Sequence, residues 1–193
     1  MRRPIPEPFI VVFFGLTGSG KSYLAGRWAG KHGVPYLNSD KVRKQIAGVA
    51  PESRHQVPFN EGLYSPEMTA RTYAEMIKRA AAHRDEPDFT GAVLDGSYGR
   101  SGQRRDVVAA FKDACRVVFI YCYCSEKVTR HRFNLRAADD EAVSDGRWEI
   151  YTGQKRFFTV PGRIDGARLV KLDTDKPVET LVGIVDDVLS DSP

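Results

Sequence analysis

Apolar residues change their spacing repeatedly along this chain. Phe9-Ile10-Val11-Val12-Phe13-Phe14 is an unbroken β-branched and aromatic run between Pro8 and Gly15, which predicts a strand buried on both faces. From Lys21 to His32 the apolar positions Leu24, Ala25, Trp28 and Ala29 recur at helical spacing, and Gly33 closes the segment. Pro35-Tyr36-Leu37-Asn38 predicts a short second strand, and Ser39-Asp40 can cap a helix over Val42, Ile46 and Ala47. Residues 48–63 are polar, proline-bearing and without period, a candidate substrate-binding loop, before Ser65-Pro66 opens a helix through Met68, Tyr73, Met76 and Ile77.

The alternation continues to the end of the chain. Ala92 to Asp95 and Val117 to Tyr123 read as strands, and residues 102–113 and 126–138 as helices. A charged segment, 139–145, precedes a helix around Trp148 and Ile150; Arg168 to Asp173 is a last strand and Pro177 to Leu189 a last helix. Five strands alternating with helices predict an α/β fold, a parallel five-stranded sheet with helices on both faces.

Composition narrows this picture. The chain has 193 residues, 41% hydrophobic and 28% charged, which suits one domain over 1–193 with its own core. No apolar run approaches the roughly 18 residues of a membrane span, so a cytoplasmic location is the default expectation. Met1-Arg2-Arg3-Pro4 is basic, but the apolar run after it leads straight into glycines without a small-residue cleavage site, as a first strand does and a signal peptide does not. Three cysteines, Cys115, Cys122 and Cys124, suit a reducing compartment and no structural disulfide. The net charge of +4 fits an anionic partner, for which a nucleotide suffices and nucleic acid is a further option.

The chemistry concentrates at Gly15-Leu16-Thr17-Gly18-Ser19-Gly20-Lys21-Ser22, which fits G-x-x-x-x-G-K-[ST] between a strand and a helix. Its glycines let backbone N–H groups turn toward phosphates and the helix N-terminus adds its dipole, so Gly15, Thr17, Gly18, Ser19 and Gly20 are read as the cradle. Lys21 is expected to reach the β- and γ-phosphates, and the Ser22 hydroxyl to hold Mg²⁺. Asp95-Gly96-Ser97-Tyr98 is not the D-x-x-G of a signalling GTPase, and no base-reading N-K-x-D is present, so ATP against GTP stays open. Transport-type and ring-forming ATPases need longer domains, which leaves a compact kinase.

Asp40 and Arg43 follow the second strand at the sheet's carboxyl edge, where such folds bind ligands. A carboxylate there can take the proton of an acceptor hydroxyl and a guanidinium can hold an anionic group; a helix cap is the other reading of Asp40. Asp95 ends the third strand, with Mg²⁺ and the acceptor both open as its partner. Arg100 and Arg104 are candidate phosphate or substrate contacts, or surface residues. Arg132 and Arg136 share a helix face and can neutralise a transferring phosphoryl group from a closing lid, or form an exposed basic face. Tyr64, Tyr73 and Tyr98 can stack on an acceptor or pack; Tyr64 is kept on the substrate side. Cys122 and Cys124 share one side of a strand and read as core, and the four histidines lack metal spacing.

These segments together resemble the small kinases of the polynucleotide-kinase and gluconate-kinase-like branch of P-loop proteins, including those fused to aminoglycoside-phosphotransferase-like domains. The resemblance lies in residues 15–22, in Ser39-Asp40-Lys41-Val42-Arg43-Lys44, in Gly62-Leu63-Tyr64-Ser65-Pro66-Glu67 and in Thr72-Tyr73. It continues in Leu94-Asp95 with Arg104, in Arg132 with Arg136, and in Ser144-Asp145 leading to Gln154. It implies an adenylate-kinase-like P-loop NTPase sheet, ATP with Mg²⁺ as donor, Asp40 as base, Arg43 near the acceptor, and Arg132 and Arg136 in a helical lid over about residues 130–146. The expected activity is γ-phosphoryl transfer to a hydroxyl of a small molecule. A 5′-hydroxyl polynucleotide kinase and a nucleotide-sensing module are the alternatives; acceptor and oligomeric state are not legible.

Overall fold

β1 (Phe9–Phe14) is buried along its whole length, because a strand at the centre of a sheet with helices on both faces meets no water. In this computed structural model, which describes residue 5 and residues 7–50, 62–137 and 148–191 (backbone alone at 136 and 137), β1 leads through residues 15–20 into α1 (Lys21–His32). β2 (Tyr36–Asn38), α2 (Ser39–Ile46), a 3₁₀ turn (Gly62–Tyr64), α3 (Pro66–Arg84), β3 (Gly91–Gly96) and α4 (Ser101–Phe111) follow. β4 (Arg116–Tyr123), α5 (Glu126–Ala137), α6 (Trp148–Phe157), β5 (Arg168–Asp173) and α7 (Val178–Ser190) complete the chain.

The five strands form one sheet in the order β2-β3-β1-β4-β5, and every pair is parallel. The alternating side chains of β1 feed two cores. Phe9, Val11 and Phe13 pack with Trp28, Leu181 and Val185 of α1 and α7, whereas Ile10, Val12 and Phe14 pack with Val42, Met76 and Val107 of α2, α3 and α4. The expected α/β fold is therefore present, with strand and helix bounds within a few residues of those read from the pattern. No helix among the described residues is long and apolar enough to cross a membrane.

Trp28 anchors the first core: it is fully buried, edge-on to Phe9 at 5.7 Å, and its indole N–H donates 2.8 Å to Asp186 Oδ1. Asp186 Oδ2 accepts from Lys31 at 2.6 Å, and Oδ1 also lies 2.8 Å from His32 Nε2. Burial opposes ionisation of this carboxyl, but the hydrogen bonds from Lys31, Trp28 and His32 prevail and hold its pKa below the usual carboxylate value. The cysteines are unpaired as expected, and burial pushes the Cys122 thiol far above its ordinary range, which suits a packed rather than a reactive side chain.

Two expectations need correction, and a third falls mostly outside the described residues. The cap of α2 is Asn38, whose Oδ1 accepts from the N–H groups of Asp40 and Lys41 at 3.0 Å. Asn38 holds extended backbone, as an N-cap must, so neither Ser39 nor Asp40 is needed for the job. Arg104 is not a substrate contact in this fold: it is 3% exposed, donates 2.6 Å to the Tyr98 carbonyl and lies 5.8 Å from the Phe14 ring centroid. Its position on the inward face of α4 decides that. The third concerns the lid, expected over about residues 130–146: the described part of that span is the second half of α5, packed on the phosphate loop, and 138–146 lie outside the described residues.

Candidate nucleotide and acceptor site

The turn from β1 to α1 has the backbone its sequence requires. Gly15, Gly18 and Gly20 all have positive φ, at 148°, 80° and 80°, and a Cβ on Gly15 would sit 2.2 Å from the Cys122 carbonyl oxygen. The chain therefore wraps closely over the end of β4. Its outer side is clamped. Arg132 donates to the Gly18 carbonyl (3.3 Å) and to Thr174 Oγ1 (3.1 Å) and O (2.6 Å), and the Thr174 hydroxyl donates 2.6 Å to the Ser19 carbonyl. Turning these carbonyls outward leaves the loop's N–H groups to face the other way, the geometry that phosphate binding needs.

That other side opens into a cavity of about 920 Å³ along the carboxyl edge of the sheet. Thr17, Lys21 and Ser22 line it from the loop, Asp95 from β3 and Ser97 from just after it, Asp40, Lys41 and Arg43 from α2, and Tyr64 from the 3₁₀ turn. α3 supplies Tyr73 and Ile77, and α6 supplies Ile150, Gln154 and Phe157. One end is thus strongly polar and the wall opposite apolar, and the size is at the upper end for small-ligand sites.

Asp40 and Arg43, paired already in the sequence, form one cluster with Tyr64, a separate candidate there. Asp40 Oδ1 accepts from the Tyr64 hydroxyl at 2.9 Å and from Arg43 Nη1 at 3.4 Å, while the buried Lys44 ammonium is 3.8 Å from Oδ2. The Arg43 guanidinium lies 4.8 Å from the centre of the Tyr64 ring, and its Nε is buried without a hydrogen-bond partner. One carboxylate is thus flanked by two cations and a phenol at the edge of the cavity.

Asp95 is fully buried at the end of β3. Its Oδ2 accepts from the Tyr36 hydroxyl and from Asn38 Nδ2, both at 2.6 Å, whereas Oδ1 has no partner. Burial first and the Asp95 carboxylate second push the Tyr36 phenol far above its ordinary pKa, so Tyr36 remains a donor. An orphaned carboxylate oxygen on a cavity that also holds Ser22 fits a hydrated cation, so Ser22 and Asp95 are the residues that suit Mg²⁺. Among the described residues no cluster of His, Cys, Asp and Glu could hold a metal by itself.

Beyond Asp95, Tyr98 adopts φ 41°, a strained value for a residue with a side chain. The strain is held in place by the Tyr73 hydroxyl, which accepts from Tyr98 N at 3.1 Å, and by Arg104 on the Tyr98 carbonyl. This turn carries Gly99 and Arg100 onto the cavity wall. The two arginines grouped together in the sequence thus separate: Arg100 faces the cavity and Arg104 supports the turn. Arg132 sits behind the loop and does not line the cavity; the side chain of Arg136 is outside the described residues. Sequence reading assigned no role to Asn38, Tyr36 or Thr174, and named Gln154 only among the residues of the family resemblance. Asn38 had a legible signal, an Asn at a strand-to-helix junction; the others act across long sequence separations.

A glycine loop joining a central parallel strand to a helix, with its phosphate-facing side on the sheet's carboxyl edge, defines a P-loop nucleotide-binding protein of kinase-like fold. Residues 10–161 match the family described as AAA domain, and the chain belongs to that family. Among solved structures it is similar to a gluconokinase from Sinorhizobium meliloti, at 19% identity over 98% of this chain and 94% of that one with a TM-score of 0.63. An APS kinase from Mycobacterium tuberculosis in complex with AMPPNP and APS matches at 21% identity over 96% and 99% of the two chains, with a TM-score of 0.63. A shikimate kinase from Aquifex aeolicus matches at 12% identity over 94% and 96%, with a TM-score of 0.56. These likenesses establish the fold. No curated protein matches the chain in sequence.

Proposed function

We propose that this protein is an ATP-dependent kinase, a single domain over 1–193, that transfers the γ-phosphoryl group to a hydroxyl of a small molecule in the cytoplasm. The observation that carries the reading is that one cavity joins Thr17, Lys21 and Ser22 of the loop to the Asp40–Arg43–Tyr64 cluster. Such a chamber brings a phosphoryl donor and a proton acceptor together, which a pure nucleotide sensor does not need.

The roles follow from position. The loop's N–H groups and Lys21 bind and orient the phosphates. Asp40 takes the proton of the acceptor hydroxyl, held ready by the hydrogen bond from Tyr64, and Arg43 steadies an anionic part of the acceptor. Tyr36 and Asn38 fix Asp95 so that its second oxygen faces the cation side. Magnesium, when bound at Ser22 and Asp95, neutralises phosphate charge. Solved structures of similar fold include a gluconokinase, a shikimate kinase and an APS kinase, which supports a small-molecule acceptor.

A 5′-hydroxyl polynucleotide acceptor is the second reading, favoured by the Asp40–Arg43 spacing and the net charge of +4. Label transfer from γ-labelled ATP, run against a panel of hydroxylated metabolites and a 5′-hydroxyl oligonucleotide, separates the two. Transfer to a metabolite that disappears in Asp40→Asn supports the first; Asp40-dependent transfer to the oligonucleotide alone replaces it with the second. Transfer that persists in Asp40→Asn removes Asp40 from the role of base.

A further inference from the structure

Across 137 positions of sequence, the Thr17 backbone N–H donates 2.9 Å to Gln154 Oε1. A backbone amide can only donate, so the carboxamide must turn its oxygen to the loop. Its NH₂ group therefore points elsewhere, with no partner among the described residues.

Gln154 is held firmly enough for that orientation to matter. It sits on α6, where Trp148 and Tyr151 stack at 4.8 Å and both meet the Phe133 ring of α5 edge-on at 6.5 Å. The Arg130 guanidinium lies 3.5 Å from the centre of the Trp148 ring, and Lys155 pairs with Glu126. α5 is in turn packed on the loop: a Cβ on Gly18 would meet the side chains of Thr129 and Phe133 within 3 Å, at 2.8 and 2.9 Å. Gln154 lines the same cavity as Thr17, Lys21 and Asp40, whereas Arg132 and Thr174, which clamp the loop's outer side, do not.

The phosphate that meets the acceptor cavity is the terminal one, because Lys21 spans the β- and γ-phosphates and itself lines the cavity. We propose that Gln154 reads that terminal phosphate: its Oε1 holds Thr17 N–H while its NH₂ donates to a γ-phosphoryl oxygen, so that the triphosphate is bound in preference to the diphosphate. The proposal rests on the nucleotide reading of the loop and adds a residue from α6 to it.

Binding of Mg·ADP and of the non-hydrolysable Mg·β,γ-imido-ATP, measured by calorimetry on the natural protein, Gln154→Glu and Gln154→Leu, tests this without knowledge of the acceptor. A glutamate still accepts from Thr17 N–H but cannot donate and repels phosphate. Gln154→Glu is expected to keep its melting temperature and its ADP affinity while losing about tenfold or more in imido-ATP affinity. Gln154→Leu, which loses both bonds, is expected to lower the imido-ATP affinity more than the ADP affinity. Unchanged imido-ATP binding in Gln154→Glu, or a parallel loss of both nucleotides in the two variants, reduces Gln154 to a loop support and overturns the proposal alone. A natural protein that binds neither nucleotide overturns the reading of the loop, and this proposal with it.

Discussion

The two faces of the sheet treat their polar groups in opposite ways. Beside α1, the half-buried Asp186 of α7 has both oxygens engaged by Trp28, Lys31 and His32 at the margin of an apolar core. Toward α2, α3 and α4 the sheet ends in the cavity, where Asp95 Oδ1 and Arg43 Nε are buried without partners. Leaving a buried polar atom unpaired costs about 1–3 kcal/mol, so a fold tolerates such atoms where a ligand completes them. The two carboxylates thus differ in what they are for: half-buried Asp186 ties helices together, and fully buried Asp95 keeps one oxygen for a partner.

Variants can break this contrast. The largest effect is expected for Asp40→Asn, which should lower phosphoryl transfer by about 10²- to 10⁴-fold with ATP affinity retained, as measured by label transfer and calorimetry. Lys21→Ala should weaken nucleotide binding by about 10- to 100-fold; an unchanged calorimetric Kd would sink the cradle assignment. On the closed face, Asp186→Ala should leave nucleotide affinity alone and cost about 1–3 kcal/mol. At this chain length each kcal/mol lowers the melting temperature by about 2–4 °C, readable by calorimetric or circular-dichroism melts. A nucleotide-affinity loss in Asp186→Ala would show that the two faces are coupled after all.

The smallest effect is a pH dependence. The pKa of Asp186 is depressed in the folded protein, so the unfolded chain binds its proton more readily. The stability it contributes is present above the ordinary carboxylate value of about 4 and is lost as the pH falls through the lower folded value. Melting temperatures followed from pH 6 down to about pH 3 should therefore fall less steeply in Asp186→Asn than in the natural protein. Equal slopes would mean that the three donors do not favour the ionised form.

Much of this architecture was legible in residue spacing. The continuous run Phe9–Phe14, the helical period from Lys21 to His32 and the glycines at 15, 18 and 20 are local patterns, and local patterns are what sheet burial and left-handed turns select for. The Asp40–Arg43 pair was legible too, because an i,i+3 spacing on a helix places both on one side. Arg104 was misjudged for the same reason that Asp186 was overlooked: whether a charged side chain points to water or into a core depends on how its helix is rolled against the sheet, which no short window encodes.

By itself, then, the chain's pattern determined the α/β class, the phosphate loop and the catalytic candidates, since each follows from the conformational limits of neighbouring residues. Only the tertiary structure decided which polar groups meet. Thr17 finds Gln154, Ser19 finds Thr174 and Asp95 finds Tyr36 across 137, 155 and 59 residues of chain, through packing of whole helices and strands. Such contacts carry no periodic signal, because each needs only one or two polar side chains at positions far apart in the chain, and the fold alone brings them within reach.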